Sequence, residues 1–345
     1  MKGLWMLLLI GLLVLPVSAS ELTPPQVPES GKAYMPQDTT SFSDALWELL
    51  GKAIQVLKPD WAEALKTGVS VIVIALLAAM LEPLSEQAGK CGILCGTAAI
   101  CVKLLTGVNS LIYQSAETIC RLSDYGKLLL PVMTAGLAAQ GGATSAGVLY
   151  TATAFANAVL TNLVSGVFVP GIYLYLGLSA ASCFLDKQVL GKTAAFIKSA
   201  ISWCLKILLT VFTTYVGISG AVAGTTDAAL LKTTKVTIAS VVPVVGGILS
   251  DASEAILTGA ELMKNSAGVY GILAVLAIVV HPFLRTGIYY LILQLSAAIC
   301  GIFGGKELSS LVSAFSTAMG LLLAMTAGSC MILMVSLICF LRGVG

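Results

Sequence analysis

The sequence predicts an all-α, polytopic transmembrane helical bundle, and three observations carry that prediction. Hydrophobic residues make up 57% of the 345 residues and charged residues 10%, with a mean hydropathy of +0.96. A chain with so little polar side-chain surface cannot cover a water-facing exterior, which excludes a soluble globular domain. Apolar runs recur along the chain at roughly the 20 residues a helix needs to cross about 30 Å of hydrocarbon. The runs are also rich in small residues that suit close helix packing, such as Gly220-x-x-x-Gly224, although in so glycine-rich a chain that pair specifies no dimer. The formal net charge is +2, and no basic run or interleaved aromatic patch points to nucleic acid.

Residues 1–19 read as a secretory signal peptide. Lys2 supplies the positive start, Leu4 to Leu15 the apolar core, Pro16 the break, and Val17-Ser18-Ala19 a small-residue cleavage site. That core is shorter than a membrane span; an uncleaved anchor is the alternative. Export places residues 20–65 on the extracytoplasmic side as a polar segment. It opens with Pro24, Pro25, Pro28 and Pro36, a composition that predicts extended, mobile chain. From Ser41, Leu46, Leu50, Ile54 and Leu57 recur at helical spacing, with Asp44, Glu48, Lys52 and Lys58 between them. This is an amphipathic helix ending at Pro59, with Trp47 and Trp61 suited to a membrane interface; it either packs on the bundle or lies on lipid.

Residues 66–345 form the multi-span membrane domain, with spans expected at 67–82, 92–113, 145–167, 168–185, 196–222, 267–284, 287–304 and 317–341. The 267–284 and 287–304 runs flank Arg285, and His281-Pro282 helps end the first, which predicts a tight helical hairpin. Two Pro/Gly segments, 128–143 and 236–249, read as broken or re-entrant elements. Unpaired backbone is not tolerated in lipid, so such stretches are buried in protein or line a wet cavity.

An ordered set of short motifs recurs, giving candidate repeats at 92–185 and 198–304. Cys101/Lys103, Pro131-Val132 with Gly136, Ser145-Ala-Gly-Val148 and Gly171-Ile172-Tyr173 with Leu178-Ser-Ala-Ala-x-Cys183 form the first set. Cys204/Lys206, Pro243-Val244 with Gly246 and Gly247, Ser266-Ala-Gly-Val269 and Gly287-Ile288-Tyr289 with Leu295-Ser-Ala-Ala-x-Cys300 form the second. The alternative is coincidence in a small apolar alphabet. Copies with three full spans each would run in opposite directions, and copies with four would be parallel; loop charges decide between neither. Paired broken segments between repeats are a common way to build a membrane pathway.

The stretch from Gly217 to Lys264 is a polar island. Asp227 near the start and Lys232 and Lys235 near the end of a short helix complement its dipole. Pro243, Gly246 and Gly247 break the chain, after which Asp251 caps a second helix with Glu254 three residues on. Asp251, Glu254, Thr258 and Glu261 fall on one face, opposite Ile256, Ala260 and Met263. Asp227, Lys232, Lys235, Pro243, Gly246, Gly247, Asp251, Glu254 and Glu261 are therefore the candidate pathway or partner-contact residues. A solvated surface helix is the plain alternative for each carboxylate.

Gly217-Ile-Ser-Gly-Ala-Val-Ala-Gly224, Asp227 with Lys232-Thr-Thr-Lys235, and Pro243-Val-Val-Gly-Gly-Ile-Leu-Ser-Asp-Ala252 resemble the stage III sporulation protein AE family of endospore-forming bacteria. The signal peptide, length and polytopic remainder are similar too, so the resemblance covers nearly the whole chain. It implies a multi-pass component of the mother-cell membrane surrounding the forespore. Its implied partners are other stage III sporulation proteins, including a secretion-type ATPase and ring-forming proteins, and a forespore membrane protein. Together these form a channel-like complex that supports forespore development. The resemblance supplies no catalytic residue.

Neither enzyme chemistry nor a cofactor or metal is expected from the motifs. No Gly-rich loop ends in Gly-Lys-Ser/Thr, and no Gly-x-Ser-x-Gly or His-Glu-x-x-His occurs. The nine cysteines mostly sit in apolar runs and read as packing residues; Cys91 and Cys95 share a helix face without a second pair to complete a zinc site. The single histidine, His281, reads as a helix-end structural residue rather than a proton relay. Lys103 and Lys206 lie in apolar runs, where a lysine is either functional or snorkels to the interface. A secondary transporter or permease is the alternative function, on the strength of the repeat and the broken segments.

Overall fold

The computed structural model describes residues 25–36, 42–81, 83, 85–139, 143–185, 188–221, 266–303 and 305–342. Among them there is no strand. The helices are α1 (Glu29–Lys32), α2 (Phe42–Val56), α3 (Lys58–Ala79), α4 (Glu86–Ala139) and α5 (Ala143–Leu163), then a π-helical turn (Val164–Phe168) leading into α6 (Val169–Leu185), α7 (Gln188–Ala221), α8 (Ser266–Phe303) and α9 (Gly305–Arg342). Six stretches are long and apolar enough to cross a membrane: Lys58–Ala79, Glu86–Ala138, Ala146–Phe184, Val189–Val216, Gly268–Phe303 and Gly305–Leu341. The chain is an all-α, multi-pass membrane protein.

Local chemistry sets these boundaries. Pro59 sits in the first turn of α3, where its missing N–H costs nothing. Ser85 Oγ accepts the Ala88 N–H at 3.0 Å and caps α4. Gly305, at φ +82°, makes the tight reversal between α8 and α9 that a side chain would strain.

The eight expected spans become six because two expected breaks are continuous helix. The 145–167 and 168–185 runs join through the π-helical turn, which immediately precedes Pro170. A proline ring clashes with the carbonyl four residues back in a regular α-helix, and the wider turn relieves that clash. The hairpin expected around Arg285 is also absent: α8 runs unbroken for 38 residues with Pro282 inside it. Likewise the first Pro/Gly segment is not re-entrant, since α4 continues through Pro131 to Ala139. Neighbouring helices satisfy and hold such interrupted backbone in a membrane bundle, so proline need not end a span.

The helices run up and down around α9. Gly301 lies beside Ser309 and Gly268 beside Leu341, so α8 and α9 form an antiparallel pair along their full length. Gly68 faces Ile292 and Ser296 while Asp60 faces His281, so α3 runs parallel to the second half of α8. Gly96 meets Ala78 and Leu308, and Gly126 meets Leu333, which makes α4 antiparallel to both α3 and α8. α9 is apolar all round and almost wholly buried, with Phe315, Met319, Met325, Leu333 and Phe340 among its core residues. A helix with that pattern belongs at the centre of a bundle, shielded by its neighbours.

The two motif copies lie on helices of the same sense. Cys183 Sγ reaches the Glu307 carbonyl at 3.4 Å from α6, and Gly301 lies beside Ser309 from α8. Two to three turns further along α9, Ser316 Oγ bonds the Tyr290 carbonyl and Gln294 Oε1 of α8 at 3.2 and 3.0 Å, while Thr317 faces Tyr175 of α6. α6 and α8 thus flank α9 at matched heights and in parallel.

The N-terminal segment departs from expectation. Residues 25–36 are docked on α8 rather than extended and mobile: Val27 and Tyr34 are buried, and Gly31 lies against Ile278. α2 packs on α8 through Ala45, Leu49 and Ala53, which meet Val269, Leu273 and Ala277. The expected stripe is rotated: Ile54 is exposed and Leu46 and Leu50 are half-buried. Small alanines allow the closer approach, so they define the buried face. Lys52 Nζ donates to the Met35 carbonyl at 2.9 Å and ties α2 to the docked segment. The spanning helix α3 begins at Lys58 rather than at residue 66. The signal-peptide residues lie outside the described residues.

Candidate functional site

α3 is 22 residues, about 33 Å at 1.5 Å per residue, which matches the hydrocarbon thickness. α8 is 38 residues, about 57 Å by the same rise, so it exceeds that thickness by most of its first half. The first turn of α3 meets α8 near its midpoint. There the bundle gathers its interior charges.

Asp60 and Glu63 lie three residues apart, on one face of α3; His281 and Arg285 lie four apart, on one face of α8. Asp60 Oδ2 is 3.2 Å from His281 Nε2 and Oδ1 is 3.0 Å from Arg285 Nε. Arg285 Nε makes a close ion pair there without an aligned hydrogen bond, since the N–H is not directed at the oxygen. The guanidinium also donates to Gln114 Oε1 of α4 at 3.0 Å and lies 3.7 Å from Glu63 Oε2. Tyr34 from the N-terminal segment stacks on His281 with ring centroids 5.8 Å apart and planes 18° from parallel. Tyr289, one turn below Arg285, reaches Glu63 and Thr67. Four separate pieces of chain, residues 25–36, α3, α4 and α8, therefore meet at one polar point.

The charges are shielded but not sealed. The Asp60 side chain is 14% exposed and that of Arg285 21%, whereas Glu63 is 59% exposed. Charges removed from water are costly unless paired and hydrogen-bonded, which is why Asp60 has two cationic or donor partners and Arg285 three polar ones. Two carboxylates thus face one guanidinium and one imidazole. The arrangement couples the docked N-terminal segment to three membrane helices.

Tyr34 shows the local field. Burial first, and the Asp60 carboxylate second, push its phenol above the ordinary tyrosine value. A raised folded-state value means its contribution to docking is whole below pH about 10 and is lost as pH climbs through the raised value. Spectrophotometric titration of the wild type should show one more late-ionising tyrosine than Tyr34→Phe, and its ionisation should loosen the N-terminal segment. Tyr34→Phe should abolish that alkaline loosening.

His281 is thus not at a helix end; it sits mid-helix, paired across the interface. Asp60, Glu63, Gln114, Arg285 and Tyr34 escaped the sequence reading. A usable signal was present: His281 and Arg285 are the only His, Lys, Arg, Asp or Glu residues in α8, and they share a face. Lys103 and Lys206 are both exposed and do not join the cluster. Cys91, Cys95 and Cys120 are exposed rather than packed, while Cys300 and Cys330 are buried. Among the described residues no group of His, Cys, Asp or Glu is placed to hold a metal. Asp227, Lys232, Lys235, Pro243, Gly246, Gly247, Asp251, Glu254 and Glu261 lie outside the described residues.

Comparison with known proteins bears on this arrangement. A family model described as Stage III sporulation protein AE matches residues 33–343. The stage III sporulation protein AE of Bacillus subtilis (strain 168) is 27% identical over 207 residues, which cover 59% of this chain and 52% of that relative. The chain thus spans about half the length of the curated relative it matches. No solved structure matches. The family match takes in α2 to α9 and every charged member of the cluster, and on that extent the chain belongs to the stage III sporulation protein AE family.

Proposed function

We propose that this chain is a non-catalytic membrane subunit of a sporulation-specific channel or secretion complex that links mother cell and forespore and is required for forespore development. The observation that carries the reading is the family match over residues 33–343, which supports a sporulation-specific role for a multi-pass membrane protein. On this reading the N-terminal segment, whose Tyr34 stacks on His281, is exported and meets ring-forming partners between the two membranes. A secretion-type ATPase and a forespore membrane protein are the further partners of the reading, and the mother-cell membrane around the forespore is its location.

A fluorescent fusion in the endospore-forming host should encircle the forespore after engulfment, and deletion should leave small forespores without late gene expression. Uniform membrane fluorescence, with normal forespores after deletion, contradicts the reading. A permease-like activity is the second reading, and the interior charge cluster favours it, because ionisable residues held within a membrane bundle commonly mark pathways. Purified protein in liposomes separates the two: flux that depends on Asp60 and His281 belongs to the permease alone.

A further inference from the structure

A second polar feature lies away from the charge cluster, between α5 and the central helix α9. Hydroxyls in a helix interior ordinarily satisfy themselves by donating to the carbonyl four residues back. Thr97, Thr118, Thr153, Thr286, Ser296, Thr326 and Ser336 all do so here, at 2.7–2.9 Å. Ser329 Oγ, Thr161 Oγ1 and Asn157 Oδ1 do not: each is a buried oxygen without a hydrogen-bond partner among the described residues. Ser329 is fully buried and Asn157 is 4% exposed.

These three atoms belong to one seam. Thr153, Asn157 and Thr161 recur every four residues along one face of α5, and Ser329 and Ser336 are two turns apart on one face of α9. Thr153 Oγ1 and Ser336 Oγ lie 2.5 Å apart and fix the register at one end. Asn157 and Leu333 both approach Gly126 of α4, at 2.8 Å from where a Cβ would stand, and fix it in the middle. The helices are antiparallel, so the next turn brings Thr161 level with Ser329. Immediately beyond Thr161 the helix opens into the π-helical turn at Val164–Phe168, a deformation that recurs at functional sites.

We propose that the α5–α9 seam around Asn157, Thr161 and Ser329 is an internal hydration site that holds ordered water against the central helix. Three neutral oxygens with no carboxylate suit water, which takes two to four polar partners, and do not suit a divalent cation, which demands carboxylates. Buried polar atoms left dry cost about 1–3 kcal/mol each, and water removes that penalty. The site gives polar species a foothold inside a core that apolar side chains otherwise close. It does not rest on the sporulation reading.

Two measurements test it. In a variant with the native cysteines replaced, Ser329→Cys should react with a small permeant methanethiosulfonate on the order of tenfold faster than Cys330 restored alone, its apolar-packed neighbour. In the unaltered chain, X-ray hydroxyl-radical labelling should oxidise Leu333 despite its 1% exposure, because activated bound water modifies the side chains beside it. Equal, slow thiol rates together with an unlabelled Leu333 overturn the proposal. Labelling of Leu333 sustains it even where the cysteine-replaced variant fails to fold.

Discussion

Arg285→Leu is expected to lower the stability of the detergent-solubilised protein by about 3 kcal/mol, toward the lower end of the range for breaking a buried pair because the cluster is partly open. The loss follows from what remains. Asp60 keeps only His281 at 3.2 Å, Gln114 loses its donor, and Glu63 loses its only described cation. Most of the cost is an uncompensated carboxylate in a shielded place rather than the value of the pair itself. Asp60→Leu combined with Arg285→Leu should therefore recover most of the stability, because replacing both partners with apolar groups of similar volume is near neutral. Thermal unfolding of the wild type, both single variants and the double variant reads the effect as a double-mutant cycle.

Gly68→Leu is the second large effect, and it acts through packing. A Cβ on Gly68 would stand 2.5 Å from Ile292 Cγ2 and 2.9 Å from Ser296 Oγ. Ile292 Cγ2 hangs directly from a branched carbon and cannot swing aside, so α3 must lift from α8. Overpacking of this kind costs about 1–3 kcal/mol. Because Asp60 and Glu63 ride on the same helix two turns away, the shift also draws them from Arg285. Gly107→Leu is the control, since nothing lies within 4 Å of its Cβ position. Unfolding temperatures of the two variants should separate clearly, with Gly107→Leu close to the wild type.

The membrane class, the absence of strands among the described residues and the approximate places of the spans were legible because apolar run length is dictated by the bilayer and shows directly in composition. The helix count was not. Proline was read as a break at Pro131 and as a terminator at Pro282, but the rule that proline ends a helix weighs one lost hydrogen bond against solvent exposure. Inside a bundle, neighbouring helices and a π-helical turn absorb that loss. Arg285 was then taken for a connector, since a charge beside a proline resembles a loop, and its partner Asp60 is 225 positions distant, beyond the reach of local pattern. The α2 face was misjudged for a related reason: large residues define a hydrophobic stripe on paper, whereas alanines at positions 45 and 53 define which face can approach α8 closely.

The central claim is that the Asp60–His281–Arg285 cluster serves the protein's role in sporulation and is not only a clamp. The most direct measurement is heat-resistant spore yield from a strain carrying Asp60→Leu with Arg285→Leu, the pair expected to restore stability, with membrane levels of the protein checked by immunoblot. The account predicts normal accumulation and a yield as low as that of the deletion strain. Wild-type yield from the normally accumulated double variant would contradict it and leave the cluster a purely structural device.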